Sequence, residues 1–250
     1  MMAIMPTDHL PLAREALSRA RSIAILTGAG ISAESGIPTF RDSLTGLWEQ
    51  FKPEELATPS AFLAHPQRVW EWYAWRRKNV MEARPNAGHD ALAKLERLYI
   101  ARDANFTLVT QNVDGLHQAA GSRNIIELHG NIRRVKCFEH HHAVDSWPQT
   151  GQIPPRCPQC GSMLRPDVVW FGEMLPDDVL ETAMQAARNS EVFLSIGTAT
   201  LVEPAASLPF IARQSGAMVI EINRDDTPLT SVAQISLRGA AGDILPQIVD

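Results

Sequence analysis

The chain has 250 residues, 45% hydrophobic and 20% charged, the make-up of a folded globular domain, which excludes a fibrous or disordered polymer. Its net charge of -5 argues against nucleic acid as the principal partner, because neutralising phosphates needs a basic surface. No apolar run reaches the ~20 residues of a membrane span, no basic-then-apolar leader opens the chain, and three cysteines do not make a disulfide framework, so a reducing cytoplasm without membrane attachment is expected.

In chain order, PLAREALSRA (11–20) has helical spacing and leads into Ile23–Leu26, an apolar run that reads as a buried strand. The strand ends in TGAGIS, where Gly28-x-Gly30-x-x-Ala33 fits a dinucleotide fingerprint: small residues let backbone N–H groups approach a pyrophosphate near a helix N-terminus. A plain glycine turn explains the same residues. The acidic residue expected about 20 positions on is not evident; the loop IPTFRDSLTGLW stands there instead. Residues 42–85 then read as helical with proline punctuation. Among them RVWEWYAWRRKNV (68–80) holds three of the six tryptophans and one of the two tyrosines. As a helix it sets Trp70, Tyr73 and Arg76 at three-residue steps, either a packing face or a Tyr73-x-x-Arg76 pincer aimed at a ligand.

Residues 86–102 read as a helix and 106–110 as a strand, after which TQNVDGLHQAAG supplies Gln111, Asn112 and Asp114. These short polar groups suit ribose hydroxyls and an amide, and equally suit the cap of a helix over 115–120. A strand at 125–128 ends on His129. Strands at 192–197, 218–223 and 233–237, with helices at 177–189, 204–215 and from about 242, complete an alternating pattern. That pattern is an open, mostly parallel α/β sheet, whose strand-end loops converge on one crevice. Residues 131–170 read as irregular. They contain Cys137-x-x-His140 and Cys157-x-x-Cys160, the spacing of a Cys3His structural zinc site, with His141 and His142 as the other candidates for the fourth ligand. Four protein ligands leave no open position for water, so the metal is assigned to folding. A redox Cys-x-x-Cys and three reduced, metal-free cysteines are the competing readings.

With these motifs in order, the chain resembles the sirtuins, NAD-dependent protein-lysine deacylases, over nearly its whole length. The matching stretches are GAGIS with GIPTFR, TQNVDGLH, ELHG, the paired metal ligands, LRPDVVWFGE, SIGTAT, EIN and RGAAGDILP. The resemblance implies a Rossmann-like parallel sheet domain (1–41, 86–130 and 171–250), a helical insertion (42–85) forming the acyl pocket, and a small zinc-binding module (131–170), with NAD in the cleft between them. Carried over by motif, Gly28, Ala29, Gly30, Ser32, Phe40 and Arg41 hold NAD and its loop. Gln111, Asn112 and Asp114 line the nicotinamide and ribose pocket. Gly197, Thr198, Ala199, Asn223 and Ala241 meet the adenosine half, and His129 is the general base. Val168, Val169, Trp170, Phe171 and Gly172 pair as a strand with an acyl-lysine peptide. The expected products are deacylated lysine, nicotinamide and O-acyl-ADP-ribose.

Tyr73-x-x-Arg76 matches the class III sirtuins, which remove succinyl, malonyl and glutaryl groups: an acyl chain ending in a carboxylate needs a charge-assisted partner inside an otherwise apolar tunnel. Trp70, Trp72 and Trp75 are then packing residues and Arg77 a solvated charge. Three departures stand out. The family's four cysteines are three here, its GTS reads Gly197-Thr198-Ala199, and Asp167 stands where close relatives often carry histidine, a change without a physical account. Competing functions are a predominant deacetylase, a protein mono-ADP-ribosyltransferase sharing the NAD site, and a non-enzymatic NAD-binding scaffold.

Overall fold

The structure, a computed structural model, describes residues 9–38, 55–148 and 150–249; Phe40 and Arg41 lie outside them. Its centre is a six-stranded parallel sheet of β1 (Ser22–Thr27), β2 (Asn105–Thr110), β3 (Ile125–Glu127), β6 (Val192–Ile196), β7 (Met218–Asn223) and β8 (Ile235–Arg238), in the order β3-β2-β1-β6-β7-β8. β1 lies between β2 and β6, with Ile25 beside Leu108 and Leu194. Strands covered on both faces read as continuous apolar runs, which is why β1 and β6 are legible without alternation: every residue of β6 is buried. Helices α1 (His9–Arg19), α5 (Ala87–Ala101) and α9 (Ala241–Val249) cover one face through Leu17, Leu92, Leu95, Tyr99 and Leu245. Helices α7 (Asp177–Arg188) and α8 (Leu208–Gln214) cover the other through Ala183, Ala187, Leu208 and Ala212. The strand order reverses between β1 and β6, and at such a switch point the loops beyond the carboxyl ends part to form a crevice.

Two excursions from the sheet build the other wall. Helix α3 (Pro59–Ala64) starts where the Thr58 hydroxyl accepts the Ala61 N–H at 3.1 Å, and α4 (Pro66–Glu82) starts on a proline, whose fixed φ suits a first helical turn. The stretch expected to be irregular carries an antiparallel pair, β4 (Gly130–Cys137) and β5 (Leu164–Val168), with a register shift between Asn131 and Val135. That shift breaks the period-two pattern by which strands are read from sequence, which accounts for the difference. The excursions share one apolar core: Phe62, Val69, Tyr73 and Val80 from the helices meet Ile132, Val168 and Trp170 from the pair and its exit. Arg77, expected to be solvated, is instead half-buried, donates from Nε to Ile132 O at 2.7 Å, and lies over the Trp70 ring at 5.8 Å. Trp70 is buried as expected and meets Trp147 edge-on at 6.3 Å. Trp75, expected to pack, is 46% exposed, because it falls on the outer side of α4. Among the described residues no helix is long and apolar enough to cross a membrane.

Candidate active site

A cavity of about 1140 Å³ opens at the switch point. Its floor is backbone. Gly30 N–H donates to Gly197 O at 2.8 Å and Gly28 N–H to Ile196 O at 3.0 Å, so the turn after β1 lies directly on the end of β6. A Cβ at Gly30 would come within 2.7 Å of Gly197 Cα, and Gly197 itself has φ +59°, so side chains are excluded here by close approach. Such a floor, bare of side chains, fits a pyrophosphate. The polar groups of the wall are held in place. Gln111 Nε2 donates to Thr198 Oγ1 at 2.9 Å, Asn223 Nδ2 to Thr198 O at 2.8 Å and Asn112 Nδ2 to Gly28 O at 3.0 Å. Ala29, Ala199 and Ala241 also line the cavity.

Two of the expected ligand residues lie deeper than the rest. Ser32 and Asp114 do not face the cavity but are buried beneath it, 1% and 5% exposed. Ser32 Oγ–H donates to Asp114 Oδ2 at 2.8 Å, and Asn112 Nδ2 donates to Ser32 Oγ at 3.2 Å. This chain of bonds reaches Asn112, and burial pushes the Asp114 carboxyl above its ordinary range even though Leu116 N–H and Ser32 donate to it. Below them lie two histidines with no expected role. His89 Nε2 is 3.5 Å from Ser32 Oγ, His117 Nε2 is 2.9 Å from Thr27 Oγ1, and the rings stand 4.9 Å apart. Burial lowers them to about 4 and about 3, so both are neutral. Among the described residues His117 Nδ1 has no partner.

His129 follows β3, lines the cavity and is tied by Nδ1 to Gln111 O at 3.0 Å. A carbonyl only accepts, so Nδ1 carries the proton and Nε2 keeps its lone pair. Burial holds the imidazole below its ordinary value, against the opposing effect of the Gln111 bond, so it is an uncharged base at neutral pH. Tyr73, Arg76 and the run Val168–Gly172 form the facing wall. The Arg76 guanidinium lies 4.7 Å over Trp72 and 5.8 Å over the Tyr73 ring. The run does not continue β5 as a free strand edge. Val169 and Phe171 donate their N–H groups to His129 O and Ala57 O, each at 2.9 Å, and Trp170 donates its own to Glu173 Oε2 at 2.7 Å. Sequence reasoning passed over Arg165 and Glu173, which brace this run; the available signal was a cation inside the apolar stretch MLRPDVVW.

At the far side, the Sγ atoms of Cys137, Cys157 and Cys160 lie within 4.8 Å of one another, and Cys137 and Cys160 are 3.5 Å apart. Thiolates sharing one tetrahedral zinc stand ~3.8 Å apart, so the trio fits that ion in a structural role. The expected ligand His140 is exposed and offers its backbone N–H to Cys137 Sγ at 3.5 Å. The histidine whose ring nitrogen meets the cluster is His142, with Nε2 3.3 Å from Cys157 Sγ. The turn from Cys137, with His141 at φ +56°, swings the third histidine inward, which sequence spacing does not reveal.

This strand order, a backbone floor at the switch point and polar side chains at the strand ends define a dinucleotide-binding protein of the Rossmann type, here with a cysteine-rich module inserted. The chain belongs to the Sir2 family, whose model matches residues 28–204. A relative from Archaeoglobus fulgidus, named NAD-dependent protein deacylase 1, is 51% identical over 235 residues, covering 93% of this chain and 94% of its own. A solved Sir2 homolog–NAD complex is 50% identical with a TM-score of 0.87, covering 96% of this chain and 92% of its own. A Sir2–p53 peptide–NAD+ structure is 32% identical with a TM-score of 0.81 and covers 94% of each chain.

Proposed function

We propose that this chain is an NAD-dependent protein-lysine deacylase whose acyl pocket favours groups ending in a carboxylate (succinyl, malonyl, glutaryl) while still accepting acetyl. The coarser activity follows from membership in the Sir2 family and from about 50% identity to named deacylases over most of the chain. The backbone floor at Gly28, Gly30 and Gly197 and the held amides of Asn112 and Asn223 are suited to NAD. NAD, when bound, supplies the electrophilic ribose carbon that receives the acyl oxygen as nicotinamide leaves. His129 contributes an Nε2 lone pair to take up a proton, while its Nδ1–H stays on Gln111 O and fixes the ring plane. The Val168–Gly172 run lines the same cavity as His129.

The observation that carries the acyl preference is the placement of Tyr73 and Arg76 together on the cavity wall. Burial lowers the Arg76 pKa, yet a guanidinium stays charged, and a cation at the wall of a largely apolar pocket draws an anion. The test compares acetyl-, succinyl- and glutaryl-lysine peptides with NAD. Arg76→Met is expected to cut desuccinylation about 10- to 100-fold more than deacetylation, the worth of charge-assisted hydrogen bonds. Equal losses on all three peptides refute the preference, and absence of nicotinamide release refutes the deacylase itself.

A further inference from the structure

The segment that bears the acyl wall contains an ion pair that the reaction does not use. Among the described residues Arg165, in β5, is the largest side chain buried completely. Its Nη1 donates to Glu173 Oε1, and its Nη2 donates to Glu173 Oε2 and to Val168 O, both at 2.9 Å. The guanidinium lies 3.4 Å from the centroid of the Trp170 ring. Glu173 Oε2 also receives the Trp170 backbone N–H. An ion pair taken out of water stabilises a fold no more than apolar packing of the same volume, so its contribution here is geometric. It pins both the backbone and the ring plane of Trp170.

That ring ends in a second polar contact. Trp170 Nε1 donates to Tyr73 Oη at 2.9 Å. An indole N–H is a donor only, so the phenol oxygen is the acceptor in this bond, and its one proton is left for another partner. Among the described residues no acceptor takes it, while Tyr73 lines the cavity beside Arg76. The cation stacked on the indole polarises the N–H and strengthens the bond that sets this direction.

We propose that Trp170, held by the Arg165–Glu173 pair, fixes the Tyr73 hydroxyl as a hydrogen-bond donor toward the acyl chain, which makes Trp170 a positioning residue for carboxylate-ended acyl groups. The inference rests on the acyl preference stated above. A carboxylate accepts the Tyr73 proton alongside Arg76; the methyl end of an acetyl group has nothing to accept it.

The test is a double-mutant cycle read as the ratio of kcat/KM on succinyl- to acetyl-lysine peptide. Trp170→Phe keeps an aromatic ring and removes the N–H. It is expected to lower the ratio roughly tenfold, the worth of one hydrogen bond to a charged group, mainly through KM for the succinyl peptide. In a Tyr73→Phe background it should lower the ratio no further, an outcome a merely structural role does not produce. Arg165→Lys, which keeps a charge beside Glu173 but withdraws the guanidinium plane from the indole, serves as the second variant and should move the ratio in the same direction by less. Thermal melting of each variant identifies any chain that fails to fold. If Tyr73→Phe lowers the ratio while Trp170→Phe and Arg165→Lys leave it unchanged, or if the losses add fully, this inference falls and the acyl preference stands. If Tyr73→Phe and Arg76→Met both leave the ratio unchanged, the acyl preference itself falls.

Discussion

His129 shows how one hydrogen bond can decide what a side chain is able to do. Its Nδ1–H on Gln111 O leaves Nε2 as the only basic atom, and burial keeps the ring uncharged below its ordinary value of 6.5. A base with a depressed pKa stays competent further into acid. The acid limb of the kcat/KM profile should therefore fall at a pH below 6.5, with the rate lost as pH drops through the folded-state value. A limb centred at pH 7 or above, measured between pH 5 and 9, contradicts the assignment. Position in the sequence was enough to put Gln111, Asn112 and His129 on the cavity, because each follows the end of a strand. Ser32 and Asp114 carry the same residue types but lie one layer deeper, and depth leaves no mark in residue type. Arg77 was misread because a long side chain reaches a carbonyl 55 residues away that helical spacing does not show.

At the scale of elements, the cysteine module depends on a turn whose path sequence spacing does not describe. His140 has the knuckle spacing, but its contact is through backbone, while the His142 ring meets the thiols. Metal analysis should find zinc retained in His140→Ala and reduced well below one ion per chain in His142→Ala. Because metal affinity is folding free energy in such modules, His142→Ala should also melt at lower temperature. Zinc loss confined to His140→Ala reverses the assignment. The β4–β5 pair was missed for a related reason. Its register shift and the prolines and cysteines around it erase the alternation that marks a strand. The central strands and the helices covering them, by contrast, matched their apolar patterns to within a residue or two, as β7 over Met218–Asn223 shows, except α8, which starts at Leu208 after a 3-10 turn over Ala205–Ser207 where a helix from 204 is expected.

Over the whole molecule, two neutral histidines sit under the active-site floor, with His89 at the start of α5 and His117 on α6 (Leu116–Ala119) joined to β1 through Thr27. Folding lowers their values to about 4 and about 3 from 6.5, so the unfolded chain binds more protons in acid. Their contribution to stability is complete above pH 6.5 and is lost as pH falls toward 4 and then 3, on the order of a few kcal/mol in total. Urea unfolding at steps from pH 7 to 4 should show the midpoint falling below pH 6.5, with a shallower fall in His117→Gln. A midpoint independent of pH across that range contradicts the burial of the pair as neutral rings.

The sequence by itself determined the fold class, the positions of the central strands, the dinucleotide turn and the candidate base, because each is written in a local pattern: continuous apolar runs, small residues at a turn, polar residues after a strand. The tertiary structure alone decided which polar residues face the cavity and which support it, which histidine reaches the thiols, and that the Arg165–Glu173 pair stands behind Trp170 and Tyr73. These are contacts between residues far apart in the chain or across an irregular turn. Their energies depend on burial and on the direction of a hydrogen bond, neither of which any local spacing encodes.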